Sequence, residues 1–405
     1  MHSAVRTHDV AIVGGGLVGA SLAIALDRLG LDVAMIEAAP PGVLPAVFDQ
    51  RNLSFAEATV NALTALGVMP LLRMPTGPIR RIHVSRSGDF GRAMLDAADY
   101  GRDMFGQVVV ARDFGEALEA RLEACMRLAR YRPARFVGLD MADDSAQVLH
   151  LAGDDGERRI AARLVVGADG TRSGVREALG IGGDEHDYGQ TLFVARVRSE
   201  RMPDGTAYER LGDEGPTALL PRGDRHFGVV HGVARSQTDT VAALADEAWL
   251  ARLQRAFGWR VGRLLESGPR SAYPIVGVTA RQLVAPRAVL VGNAAQTLHP
   301  LGAQGFNLGL RDALTLAELI ELRGGDPGDE ALLAEYTRRR REDRERTLAF
   351  SDGLAKVTAN DSPLLRPLRS LGLLALDRLP ALQASLVGGA LGYRGDVPAL
   401  CRSAS

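Results

Sequence analysis

The run Gly14-Gly15-Gly16-Leu17-Val18-Gly19 constrains the fold of this 405-residue chain more than any other segment. It follows Val10–Val13, which reads as a short buried strand, and opens Leu17–Leu29, which reads as a helix with small residues where it approaches a sheet. The spacing matches G-x-G-x-x-G. Gly14 makes the turn, Gly16 lets a pyrophosphate approach the backbone, Gly19 allows close helix packing, and the helix entrance at Leu17 and Val18 faces the phosphates. A second strand, Asp32–Ile36, ends on Glu37, whose carboxylate suits the two hydroxyls of an adenosine ribose and disfavours a 2′-phosphate. The motif alone does not separate NAD from FAD, and a strand–turn–helix without ligand is its plain alternative. The apolar stretch Val10–Leu26 resembles a signal-peptide core, but three consecutive glycines break a hydrophobic helix where a phosphate turn needs them. A cytoplasmic protein is expected.

Two later segments repeat the pattern of strand, small-residue turn and helix. Arg163–Val166 leads into Gly167-Ala168-Asp169-Gly170-Thr171-Arg172-Ser173-Gly174-Val175-Arg176, and Ala288–Val291 leads into Gly292-Asn293-Ala294-Ala295-Gln296-Thr297-Leu298-His299-Pro300-Leu301-Gly302-Ala303-Gln304-Gly305-Phe306-Asn307, with a helix from near Leu308. Asn293 offers a side-chain amide to a polyol chain. The glycine-rich helix entrance behind it can receive a negatively charged ring edge, which suits a reduced flavin.

Together the three segments, spread from Gly14 to Asp312, resemble the fingerprints of the class A flavoprotein aromatic hydroxylases. The variant G-N-A-A-Q-T-L-H-P is similar to the 2-octaprenyl-6-methoxyphenol hydroxylases of ubiquinone synthesis, as is the tail Leu371–Pro380. That group usually follows H-P with x-A-G-Q-G. Here the order is Leu301-Gly302-Ala303-Gln304-Gly305, as in parahydroxybenzoate hydroxylase, so backbone angles at the flavin edge are expected to differ. The resemblance implies cofactor contacts at Gly14, Gly16, Leu17, Val18, Gly19, Glu37, Asp169, Asn293, Pro300, Gly302, Ala303, Gln304, Gly305 and Asn307. It adds Arg51 in Asp49-Gln50-Arg51, and Gln107 and Arg112 in Gly106–Arg112; without the resemblance the last two read as a strand end and a surface arginine.

The implied fold is α/β, like parahydroxybenzoate hydroxylase: a Rossmann-like FAD-binding domain, a mixed or antiparallel-sheet substrate domain and a helical C-terminus. The FAD domain is expected from 1–75, 106–180 and 280–345, the substrate domain from 76–105 and 181–279, and the helical segment from 346–405. Short alternating stretches such as Thr191–Val197 and His226–Val233 suit the substrate sheet. Helix is expected from beyond Gly325 to near Gly392, with the run Arg338–Arg341 on a solvated face.

Composition narrows the function. Basic and acidic residues nearly cancel, 48 against 49, so no field favours nucleic acid. Lys356 is the single lysine, which excludes Schiff-base and P-loop chemistry. Trp249 and Trp259 lie ten residues apart, which with one lysine argues against a flavin halogenase. Cys125 and Cys401 are expected reduced and structural, and no metal site is expected. The resemblance implies a monooxygenase that uses NAD(P)H and O2, through a flavin C4a-hydroperoxide, to hydroxylate a polyprenylated phenol. A flavin-dependent prenyl reductase and a non-catalytic flavoprotein subunit are the alternatives. His299 and His231 are candidates for phenol deprotonation, and each also reads as a packing residue. Leu364, Leu368, Leu371, Leu374 and Leu382 recur near helical spacing among arginines, so this segment either meets a membrane surface or a partner, or packs on the FAD domain.

Overall fold

A computed structural model of the protein describes residues 6–154, 156–212, 214–358 and 366–402. Its first sheet has a parallel centre in the order β19 (Ala288–Leu290), β11 (Gly156–Gly167), β1 (Thr7–Val13), β2 (Val33–Ile36), β8 (Leu128–Tyr131). β18 (Val284–Ala285) closes one edge, and the hairpin β9 (Ala134–Asp143) with β10 (Ala146–Gly153) pairs with β11. Every residue of β2 is buried, as a parallel strand covered on both faces requires. Helix α1 (Leu17–Asp27) is buried from Gly19 through Leu26 because it lies between α3 (Ala111–Glu123) and the later α7.

A three-stranded sheet joins β3 (Asn52–Ala56), β7 (Gly106–Val110) and β4 (Gly77–Ile79), next to α2 (Glu57–Ala65). The third sheet runs β20 (Gln296–Thr297), β17 (Ser271–Ala280), β12 (Gly183–Ser199), β15 (Phe227–Ala234), β14 (Thr217–Pro221), β13 (Thr206–Leu211), β5 (Arg81–Arg86), β6 (Arg92–Asp96), with β16 (Leu264–Ser267) beside β12. All its pairs are antiparallel except β13 with β5. Of the segment 76–105, only β5 and β6 enter this sheet, whereas β4 pairs with β7.

Alternation gives the third sheet two faces. The outer face sets Phe193, Val197, Leu219, Phe227 and Val229 beneath α5 (Thr238–Ala242) and α6 (Asp246–Phe257); Trp249, Leu253 and Phe257 recur every four residues of α6 to meet them. The inner face carries Leu192, Val194, Val230, Ala218, Ala207 and Leu211. It looks toward β3 and the late motif: a Cβ on Gly228 would strike the Asn52 amide, and Leu211 packs on Leu301.

Helices α4 (Gly174–Ala178), α7 (Gln304–Arg323), α8 (Glu330–Thr358), α9 (Arg366–Arg378) and α10 (Pro380–Leu391) complete the chain. The reading of Arg338–Arg341 as a solvated face holds for Arg338 and Arg341, which are exposed, and is corrected for Arg339 and Arg340. Arg340 is fully buried against Asp312 and Asp343, and Arg339 reaches Glu318 and Asp396. A run of arginines looks superficial in sequence, and only the acids set against it by α7, by Asp343 of α8 and by Asp396 make its burial affordable. The amphipathic reading of the tail is divided. Asp377 of α9 accepts the Met94 N–H at 2.8 Å, and Val387 and Leu391 of α10 join the core of Ile79, Leu95 and Phe105, while Leu371 and Leu379 stay exposed. The side chains of Leu364, Leu368 and Leu382 lie outside the described residues. Among the described residues, no helix is long and apolar enough to cross a membrane.

Candidate functional site

Parallel register brings the three motifs to one edge of the first sheet. Val13 is level with Ile36 and with Gly167, and Gly167 with Leu290, so the turns after β1, β2, β11 and β19 open side by side. This is where open α/β sheets receive ligands. Steric detail separates the glycines. Gly14 has φ +106°, and a Cβ there would lie 2.4 Å from the Ala168 carbonyl oxygen; a Cβ on Gly19 would lie 1.9 Å from the Gly14 oxygen. These two are demanded by the protein itself. Gly16 is not: its φ of −74° suits any residue, and an added Cβ would meet only Val47, at 3.7 Å. The space beside Gly16 leads to the start of α1, which carries no side-chain cap and no acid in its first turn. Unused N–H groups there accept an anion.

Glu37 ends β2 beside this turn. Its Oε2 accepts the Gly15 N–H at 2.8 Å and its Oε1 the Ala39 N–H at 2.7 Å. A carboxylate has about four acceptor sites, so roughly two stay open. Asp169 behaves differently: its oxygens accept from the Ser173 hydroxyl at 2.5 Å and the Val175 N–H at 3.1 Å, which caps α4. Burial raises its pKa, against these hydrogen bonds.

The late motif is stapled to both earlier ones. Gly292 has φ +59° and lies against Val18 of α1, and Arg176 after the middle motif donates to the Ala294 and Thr171 carbonyls, each at 2.9 Å. Asp312 Oδ2 accepts from the Gly292 N–H and, at 2.6 Å, from Gln296. Its Oδ1 accepts from Arg340 at 2.7 Å. Asn293 is exposed, and no described residue bonds its side-chain amide. Beyond it, Gly302 (φ +70°) and Ala303 (φ +51°) are both left-handed, so the G-A order puts an alanine in a conformation that favours glycine. α7 begins at Gln304 without a side-chain cap.

Asn307, expected among cofactor contacts, has a saturated amide. Oδ1 accepts from the Ala56 N–H and the Thr59 hydroxyl, while Nδ2 donates to the Ser54 and Ala303 carbonyls. Its side chain ties α7 to β3, and only its backbone can serve a ligand.

Arg51 stacks 4.2 Å above the Tyr273 ring and donates to both oxygens of Asp49, which also accepts from the Tyr273 hydroxyl. Burial pushes the Asp49 carboxyl up, but hydrogen bonds from Arg51 and Tyr273 outweigh it and leave the pKa lowered. Arg112 is exposed, its N–H on the Asp49 carbonyl, so it shares this corner. Gln107 does not. It is paired with Phe55 and lines a cavity of about 310 Å³ with Glu57, Asn61 and Arg102, to which no motif turn contributes.

Both candidate bases are buried packing residues. Burial lowers each to a pKa of about 4, with Arg252 also lowering His231 and Asp352 opposing the shift at His299. His231 lies on the outer face of the sheet, between Thr217 (2.9 Å) and Arg252 (3.2 Å) and edge-on to Trp249, so it points away from the motif turns. His299 accepts the Leu301 N–H and stacks edge-on with Tyr188. The sequence reading could not assign His231 a face, because a one-residue shift of register reverses it.

The family model described as "FAD binding domain" matches residues 7–351. The chain belongs to this family, and it is an FAD-dependent monooxygenase. It is 37% identical over 396 residues to Ubiquinone hydroxylase UbiL of Rhodospirillum rubrum, covering 96% of this chain and 91% of that protein. It is 32% identical to the 3-demethoxyubiquinol 3-hydroxylase of Escherichia coli, covering 95% and 98%. In fold it is similar to p-nitrophenol 4-monooxygenase PnpA of Pseudomonas putida, with a TM-score of 0.78 at 20% identity, over 96% and 99% of the chains. The monooxygenase's open turn at Gly16, uncapped α1 and free Asn293 amide all fit FAD. Asp312, Arg176, Tyr273 and Asn52 escaped the sequence reading of its site. Asp312 and Arg176 had a signal, standing at the ends of the late and middle motifs; Tyr273 meets Asp49 across 224 positions.

Proposed function

We propose that this monooxygenase hydroxylates the aromatic ring of a polyprenylated phenol in ubiquinone biosynthesis, with NAD(P)H as reductant. The observation that carries the reading is the inner face of the nine-stranded sheet: Leu192, Val194, Val230, Ala218, Ala207 and Leu211 present an apolar wall that reaches Leu301 of the late turn. Such a wall excludes water and takes an apolar tail. The names of the relatives agree with it. FAD, when bound, supplies the activation of O2 for transfer of one oxygen atom to the ring.

The chain's own residues would then hold and shield. Glu37 receives the adenosine ribose; Gly16 with the Leu17 and Val18 N–H groups receives the pyrophosphate. Asn293 takes the polyol, Arg51 lends its charge from a side chain locked by Asp49 and Tyr273, and the backbone of Pro300–Gly305 borders the ring. Arg112 stands by at the Asp49 corner, and Gln107 is the contact least supported, given its separate cavity. A prenylated phenol resides in a bilayer, so the enzyme meets it peripherally; exposed Leu371 of α9 and Leu379 between α9 and α10, 55% and 50% accessible, suit that contact.

The test is mass spectrometry of ring products when purified protein, FAD, NAD(P)H and prenylated phenols are mixed in air. A product heavier by one oxygen, with its label from ¹⁸O2, supports the reading. Nicotinamide oxidation without a ring product, or a reduced prenyl chain, overturns it.

A further inference from the structure

On β13 the inner face of the nine-stranded sheet carries one carboxylate among aliphatic neighbours. Along β13 that face carries Ala207, Glu209 and Leu211. Ala207 packs in the cluster of Leu95, Val387 and Leu391, and Leu211 packs with Leu301 of the late turn and Val84. Glu209 sits in the interval between these two contacts, one strand repeat, or about 7 Å, from the residue that touches the turn. Its partners across the sheet are Ala218 of β14 and Val84 of β5. Half-buried among aliphatic side chains, it has no hydrogen-bond or ion-pair partner among the described residues, and burial alone pushes its carboxyl up to about 7.

The surrounding elements supply no competing titration near neutrality. Tyr208 and Arg210 of β13 point to the outer face. β14 offers Ala218 and Leu220, β6 offers Ala93 and Leu95, and α10 offers Val387 and Leu391. β5 offers Arg86, level with Leu211, the one cation on this face of β5 and β13. Behind Leu301 lie Tyr188, pushed well up by burial and by Asp352, and His299, held at about 4.

We propose that Glu209 is a catalytic residue of the hydroxylation, its carboxylate accepting the proton of the substrate's phenolic hydroxyl. The phenol O–H bond breaks with its electron pair left on oxygen, an O–H bond forms on the carboxylate, and the proton passes to solvent after product departs. The phenolate ring so produced is the more electron-rich partner for oxygen transfer. The proposal rests on the phenol reading above.

The experiment uses the FAD-loaded enzyme and 2-methoxyphenol. In air, product formation and kcat/KM are followed against pH, and flavin absorbance after gel filtration reports retained FAD. In the native enzyme kcat/KM is expected to rise through a midpoint near 7, the carboxylate taking the phenolic proton as oxygen transfers. In Glu209→Gln, kcat/KM at pH 7 should fall by ~10² or more, the scale of lost general-base catalysis, and recover toward the phenol's own pKa. FAD content should be unchanged, because the neutral amide replaces a carboxyl that gains nothing from its surroundings. Glu209→Asp should retain a limb near neutrality. A pH profile unaltered in Glu209→Gln overturns the proposal, as does loss of FAD or fold in that variant with no near-neutral limb in Glu209→Asp. Absence of any hydroxylated product from the native enzyme sinks the phenol-hydroxylase reading; hydroxylation indifferent to Glu209 sinks only the role of Glu209.

Discussion

Removal of Asp343 should destabilise this enzyme more than most single substitutions. The carboxylate is fully buried between two guanidinium groups, with Oδ2 accepting from Arg311 and Arg340 at 2.7 Å each and Oδ1 accepting from Arg311 at 3.0 Å. With Asp312 opposite Arg340, the cluster holds two cations and two anions, each side chain at most 2% exposed. Asp343→Ala leaves one buried positive charge without a partner, and breaking a buried pair in this way costs about 3–5 kcal/mol. That is a large share of the roughly 5–15 kcal/mol that holds an ordinary domain together. The effect should reach the cofactor site, because Arg340 also holds Asp312, whose other oxygen holds the Gly292 N–H beside Asn293. Urea unfolding gives the free energy, and flavin absorbance per protein reports retained FAD. The paired replacement Arg311→Met with Asp343→Leu restores neutrality and should recover most of the loss. A loss of about 1 kcal/mol or less in Asp343→Ala, the range of a solvated pair, would refute the reasoning.

Acid provides a second view of the buried groups. His231 and His299 are held at about 4, below the ordinary histidine value, so they contribute stability that is present above about 6.5 and lost as pH falls toward 4; the free energy of urea unfolding should decline by about 1.6 kcal/mol per histidine between pH 6.5 and 5. A flat profile there would show that neither is buried neutral. Asp343 extends the decline: burial raises its carboxyl but Arg311 and Arg340 hold it at about 2, so its contribution is lost only as pH falls below about 4 toward 2. For the polyol contact, Asn293→Asp should retain FAD and Asn293→Leu should lose it, read as flavin absorbance after gel filtration; equal FAD content would remove the assignment. Ala303→Gly relieves a left-handed alanine worth about 1–2 kcal/mol while adding about 0.4–1 kcal/mol of unfolded-state entropy, so thermal unfolding should show unchanged or slightly higher stability. A loss of 1 kcal/mol or more would mean that the turn does not adopt this conformation.

The sequence by itself determined the local grammar of this protein. Gly14 and Gly292 take a positive φ and Gly19 abuts the Gly14 carbonyl, and the apolar strands before them and the helices after them are legible from periodicity, because these demands are set within each strand–turn–helix unit. The departure Gly302-Ala303 was legible for the same reason, as a change in which residue must tolerate a left-handed turn. What the tertiary structure alone decided is which polar groups meet. Arg340 looked like one of four surface arginines until α7 set Asp312 against it, and Asp343 shared it with Arg311. His231 was assigned its face by strand register, Asn307 spent its amide on β3 and α2, and Glu209 became solitary only because β5 and β14 flank it with Val84 and Ala218. Burial and pairing are properties of assembled surfaces. A residue's charge is written in the chain, but the partners and the dielectric that set its behaviour arrive from elements tens to hundreds of positions away.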